Sequence, residues 1–105
     1  MTQAASLEKL GDGQFALSGD LVFESAPRLL LEGEAAFGMH DRVDIDLAGV
    51  GRIDSAGLAL LLEWSIVARE GGRSVGYRNM PAGLATLAGI SDVSELLPAT
   101  ASGAG

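Results

Sequence analysis

Between Arg42 and Glu70 the apolar residues change their spacing, and that change constrains the fold more than any other feature of the chain. In RVDIDL, Arg42 to Leu47, the residues Val43, Ile45 and Leu47 alternate with Asp44 and Asp46. A period of two puts every second side chain on one face of a strand. From about Ser55 the period lengthens. Leu58, Leu61, Leu62 and Ser65 fall at i, i+3, i+4 and i+7, one face of a helix that runs to Glu70 and packs on the sheet. Gly71-Gly72 follows, a pair that stops a helix in a left-handed cap. The short stretch AGVGR, residues 48–52, reads as the loop between strand and helix, and SVGYRN, Ser74 to Asn79, as the next strand.

The rest of the chain extends this unit. ASLEKL (5–10) and QFALSG (14–19) alternate roughly in polarity around Gly11-Asp12-Gly13, the pattern of a β-hairpin whose glycines take positive-φ positions. From Phe23 to Phe37, the residues Ala26, Leu29, Leu30 and Ala36 recur at helical spacing between Glu24, Arg28, Glu32 and Glu34. Ser25 and Pro27 mark the start of this helix, since proline in a first turn has no hydrogen bond to lose, and Gly38 marks its end. Pro81 opens a further helical pattern in Leu84, Leu87 and Ala88. SDVSELL, from Ser91, predicts a last helical turn, and the small, polar end of the chain predicts a disordered tail over residues 99–105. The order β-β-α-β-α-β-α-α predicts an α/β fold: a mostly parallel sheet with an antiparallel opening hairpin, helices packed on it, and right-handed crossovers. A single domain over residues 1–98 follows, because 105 residues build one modest core and not two.

Composition narrows the functions open to such a domain. Fourteen acids against seven bases give a formal net charge of -7. Phosphate backbones are held by Lys and Arg, so neither nucleic acid nor direct binding to anionic lipid is expected. The absence of cysteine excludes disulfides, thiolate metal sites and Cys nucleophiles. A lone histidine, His40, leaves no His cluster for zinc and little scope for a Ser-His-Asp triad; no metal or cofactor is expected. The N-terminus has no basic segment followed by an apolar core, so no signal peptide is expected. The longest apolar run is interrupted by Glu63 and falls short of the ~20 residues that span a bilayer, which makes the cytosol the expected compartment.

Asp54 and Ser55 stand where the period changes, and several chemistries compete for them. A dinucleotide loop is excluded because Gly49 and Gly51 would need a third glycine at the position of Asp54. A Walker A loop needs a lysine, and the chain has none after Lys9. A nucleophile elbow needs a glycine two residues before Ser55, where Ile53 stands. Helix capping remains, with side-chain oxygens accepting from otherwise unpaired backbone N–H groups. So does a switch: a phosphate on Ser55 would meet the positive end of the helix dipole while Asp54 repelled it. Asp44 and Asp46 read as the solvent face of their strand. Asp46 and Asp54 also lie near the sheet's C-terminal edge, where α/β folds bind ligands.

The helix after this turn is more apolar than one buried face requires. Leu60, Trp64 and Val67 form a second stripe, roughly 150° round from the first. It is either a partner surface or core beneath the helix around Leu84 to Ala88, and Trp64 is the residue that discriminates. Met39 and His40 are expected in an exposed helix-to-strand loop, and Tyr77 in a strand.

VDIDLAGVGRIDSAGLALLL, set in this order of hairpin, helix, strand, long helix, strand and short helices, resembles the STAS domain family, named for sulfate transporters and anti-sigma factor antagonists. The antagonists carry Asp-Ser-Ser/Thr-Gly, whose first hydroxyl is the phosphoacceptor. The resemblance assigns that role to Ser55, but Ala56 replaces the second hydroxyl. GLALLL after the turn and the later A-x-x-G-G are most similar to the MlaB-type branch, the STAS subunits of bacterial phospholipid ABC transporters that maintain outer-membrane lipid asymmetry. That resemblance implies a cytoplasmic, non-enzymatic subunit, peripheral to the inner membrane through its complex. It would bind the transporter's ATPase and support its assembly and activity. The docking surface implied is Asp54, Ser55, Ala56, Gly57, Leu58, Leu60 and Trp64. The alternative implied is an anti-sigma factor antagonist switched by phosphorylation of Ser55.

Overall fold

The computed structural model describes residues 4–90. Its elements are β1 (Ser6–Gly11), β2 (Gln14–Leu21), α1 (Ala26–Phe37), β3 (Arg42–Ile53), α2 (Ser55–Glu70), β4 (Ser74–Arg78) and α3 (Ala82–Ile90). The four strands make one sheet in the order β1-β2-β3-β4. β1 runs antiparallel to β2, while β2 with β3 and β3 with β4 run parallel. This is the α/β sheet with an antiparallel opening hairpin that the apolar periods predict. The turn expected from Ser91 and the tail at 99–105 lie outside the described residues.

One element differs from expectation. The stretch AGVGR is not a loop, because β3 continues through it to Ile53. Two bulges hide this half of the strand from a period-two pattern. Asp46 pairs with Ala16 and Gly49 with Ser18, three steps on β3 against two on β2; Val50 to Ile53 against Gly19 to Leu21 repeats the mismatch. An extra residue at each place throws the in-and-out alternation out of phase. The Asp46 carboxylate braces the first bulge by accepting from the Ala48 N–H at 2.9 Å.

The alternation up to Leu47 does what it predicts. Val43, Ile45 and Leu47 are buried together with Phe15 and Leu17 of β2 and Val75 and Tyr77 of β4. Leu29 and Phe37 of α1, Leu58, Leu61, Trp64 and Ala68 of α2, and Leu84 of α3 complete the same core. Each fully buried side chain of this size contributes about 1.5–3 kcal/mol, so this shared core dominates stability. Asp44 and Asp46 lie on the strand's other side, only half-buried, and Gln14 Nε2 donates to Asp44 Oδ2 at 3.1 Å.

Helix ends follow the sequence signals with one change of role. Ser25 holds the N-cap position of α1, yet its side chain caps nothing. Its hydroxyl turns inward, donating to the Asp20 carbonyl at 2.7 Å and accepting from the Val22 N–H at 3.1 Å, and so pins the loop between β2 and α1. At the other end of α2, Gly72 at φ 75 closes the helix, and the Arg73 N–H returns to the Ala68 carbonyl at 2.8 Å.

Candidate functional site

The Asp-Ser-Ala-Gly turn sits where β3 hands over to α2, beside the end of β2. The Asp54 N–H donates to the Leu21 carbonyl at 3.2 Å, which draws the turn against β2. The Asp54 carboxylate then collects three backbone donors. Oδ1 accepts from Ala56 N–H at 2.9 Å and Gly57 N–H at 3.1 Å, and Oδ2 accepts from Phe23 N–H at 3.1 Å. The first two are capping bonds, which satisfy donors the helix cannot use itself. The third fastens the β2–α1 loop to the start of α2. Gly57 is fixed by close approach: a Cβ there would lie 2.2 Å from the Leu21 carbonyl oxygen and 2.9 Å from Ile53 Cγ1. Asp54 and Gly57 therefore build the turn. Ser55, between them, is exposed, and Ala56 is half-exposed.

Beside Ser55 an open groove of about 400 Å³ runs between the first halves of α1 and α2. Phe23, Ala26, Pro27 and Leu30 line one wall and Ala56, Ala59, Leu60 and Glu63 the other. Phe23 is 74% exposed, and its backbone is the one that Asp54 holds. Leu31, one residue past the groove on α1, is 69% exposed. Apolar surface is thus left uncovered at this end of the two helices.

The other residues singled out from the sequence lie in the core. Trp64 is 2% exposed and Leu60 4%; Leu58 and Gly57 are also buried. Leu60 and Trp64 of the second stripe are covered, by α1 and not by the helix around Leu84, while Val67 is half-buried. The Trp64 ring meets Phe37 edge-on with centroids 5.0 Å apart, and its Nε1–H makes a long 3.4 Å hydrogen bond to the Leu30 carbonyl. Leu60 still forms part of the groove wall, whereas Trp64, Leu58 and Gly57 do not line it. On α2, Ala56, Ala59, Leu60 and Glu63 line the groove, Ser55 is exposed beside it, and Ile66 is exposed farther along. Phe23, Pro27, Ala59 and Glu63 are absent from the site read off the sequence. The signal for them was an excess of apolar residues, Phe23 and the doublet Leu30-Leu31, over what one buried face of α1 uses.

Two further titratable groups, Asp46 and Tyr77, serve the fold. Asp46 Oδ1 accepts from Asn79 Nδ2 at 2.9 Å as well as from Ala48, and these bonds, the one from Asn79 foremost, hold its pKa below the usual carboxylate range. Burial pushes the Tyr77 hydroxyl well above its ordinary pKa, so it stays protonated and donates to the Leu61 carbonyl at 2.7 Å. Met39 is exposed as expected, whereas His40 is half-buried against the Phe15 ring, centroids 6.0 Å apart. Among the described residues no three His, Cys, Asp or Glu side chains gather as metal ligands, and no helix is long and apolar enough to cross a membrane.

Residues 7–98 match the family described as "Mlab, STAS domain". No curated protein sequence matches the chain. Among solved structures it is similar to the anti-sigma factor antagonist SpoIIAA in its unphosphorylated form, with a TM-score of 0.71 at 15% identity over 96% of this chain and 92% of that one. The Bacillus cell fate determinant SpoIIAA in its phosphorylated form superposes with a TM-score of 0.68 at 16% identity, over 96% of each chain. An anti-sigma factor antagonist from Mycobacterium paratuberculosis gives 0.68 at 20% identity, over 91% of this chain and 83% of that one. At these identities the likeness establishes the shared fold.

Proposed function

This chain belongs to the STAS domain family in its MlaB-type form, and from that premise we propose that it is an accessory subunit that binds the ATPase of a phospholipid ABC transporter. In this role it performs no chemical step. It stands on the cytoplasmic side of the inner membrane, held there through its complex, and supports the ATPase's assembly and activity. The observation that carries the reading is the placement of the exposed Ser55 turn flush with the apolar groove between α1 and α2. A protein partner can cover both at once. Asp54 and Gly57 make the turn rigid beforehand, so little ordering entropy is lost on docking.

A second reading, an anti-sigma factor antagonist, has Ser55 to favour it. An exposed hydroxyl in the first turn of a helix stands at the positive end of its dipole, where a phosphate is favoured, although Asp54 already holds the Ala56 and Gly57 N–H groups. Ala56 in place of a second hydroxyl and the apolar groove weigh toward the transporter. Tagged purification from host membranes in mild detergent, with partners identified by mass spectrometry, separates the two. An ABC ATPase with its permease supports the first reading; a soluble kinase-like anti-sigma factor supports the second. Ser55→Asp adds a charge at the contact edge and should weaken ATPase capture; unchanged affinity counts against docking at this turn.

A further inference from the structure

We propose that the groove between α1 and α2 seats a single amphipathic helix of the partner, with two or three large apolar side chains facing inward and a Lys or Arg set beside Glu63. This rests on the ATPase reading above and specifies the chemistry that the partner presents. A shallow trough between two helices, open along its length, matches the way amphipathic helices lay an apolar face into a groove. Its ~400 Å³ is at the lower end for sites that take small molecules, which are about 300–1,000 Å³ and far more enclosed. Phe23 stands at one lip as an aromatic anchor, the residue class that concentrates binding energy at interfaces. The Phe23 N–H bond to Asp54 holds that lip in place before a partner arrives.

Charge chooses among the possible occupants. Among the described residues Glu63 is the only ionisable side chain lining the groove, and Glu24, Arg52 and the Asp54 cap lie close by in the chain. Arg28, on the neighbouring turn of α1, is engaged by Glu32 at 2.6 Å and by the Ala5 carbonyl at 2.6 Å. The groove's described lining therefore carries one negative charge and no positive one. Residues 91–105 of this chain contain Asp92 and Glu95 and no basic residue, so they would bring like charge to Glu63. A second copy would set one such lining against another in a chain of net charge -7. A cationic, apolar-faced helix satisfies both the apolar lining and its one charge.

The test places the photo-crosslinking amino acid p-benzoylphenylalanine at position 59 of the full chain, with position 39 as a control outside the groove. The chain is irradiated in the host and purified from membranes in mild detergent, and the adducts are mapped by mass spectrometry. The expected result is an adduct from position 59 to one ATPase peptide bearing apolar residues at i, i+3 or i+4, and i+7 with a Lys or Arg nearby, and none from position 39. Glu63→Lys should also lower ATPase capture about tenfold with the melting curve unchanged, and Glu63→Gln should lower it less. An adduct to a second copy, to residues 91–105 or to an acidic or extended ATPase segment overturns the inference. Recovery of the ATPase without an adduct at 59 overturns the groove and leaves the transporter reading standing. Failure of the unmodified chain to recover an ATPase overturns that reading, and this inference with it.

Discussion

Gly33 lies midway along α1 directly against the indole of Trp64. A Cβ at this position would stand 2.4 Å from Cε2 and Nε1 and 2.5 Å from Cζ2 of that ring, where carbon atoms at rest keep about 3.5–4.0 Å. On an exposed helix, Gly33→Ala would stabilise by about 1 kcal/mol through backbone propensity alone. Here the neighbour is a rigid ring and not a flexible chain end. It is fixed by the edge-on Phe37 ring, at an interplanar angle of 81°, and by its bond to the Leu30 carbonyl. Relief requires either a shift of the ring toward the cavity of about 120 Å³ that it lines with Phe37 and Val67, at the expense of its bond to Leu30, or a lift of α1 from α2 by roughly 1 Å, the gap between those distances. Overpacking of this kind costs about 1–3 kcal/mol, and a rigid two-sided clash belongs at the upper end. After the propensity gain, the variant should lose ~1–2 kcal/mol, a fall in Tm of about 4–16 °C for a domain of this size. Urea denaturation read by tryptophan fluorescence measures it cleanly, since Trp64 is the only tryptophan. Combining Gly33→Ala with Trp64→Leu should abolish the penalty, a coupling of about 1 kcal/mol or more between the sites when followed by circular dichroism. A Gly33→Ala variant at least as stable as the parent would refute the reasoning, because α1 and α2 would then not be in contact through this ring.

Three other outcomes are expected. Trp64→Ala should cost about 3–5 kcal/mol in a denaturant melt, as removal of a buried aromatic does; an unchanged midpoint would return Trp64 to the surface. Asp54→Ala should cost roughly 0.5–2 kcal/mol for the lost cap and speed hydrogen exchange at the Phe23, Ala56 and Gly57 amides together, with Asp54→Asn recovering part of the protection. Asp46 titrates below its unfolded value of about 3.9, so it binds fewer protons in the folded chain than in the unfolded one. Its contribution is complete above that pH and disappears as the pH falls through the lower folded value. Asp46→Asn should therefore flatten the acid end of the stability curve, and an NMR titration of the Asp46 carboxyl that gave an unshifted value would remove the basis for it.

Features set by neighbours along the chain were legible without coordinates. The hairpin at Gly11–Gly13, the strand from Arg42, the start of α2 at Ser55 and the cap at Gly71-Gly72 rest on local periods and local backbone preferences, and the fold class followed from their order. The second half of β3 escaped for an equally local reason, since two bulges break the period that identifies a strand. The capping role of Asp54 was legible too, because an acid just before an apolar helical run needs only the next turn of backbone as its partner.

What tertiary structure alone decided is which apolar residues meet each other. The second stripe of α2 is the same sequence whether it faces water, α3 or α1; Leu60 and Trp64 became core because α1 passes over them with Gly33 where the indole needs room. The third hydrogen bond to Asp54 comes from Phe23, 31 residues earlier, and no local pattern announces it. The groove is built from residues 23–30 on one side and 56–63 on the other, with β3 between them in the chain, so it exists only after the sheet has aligned two helices. Periodicity reports how a segment would like to be buried, whereas the neighbour that buries it, and the surface left over, are properties of contacts distant in sequence.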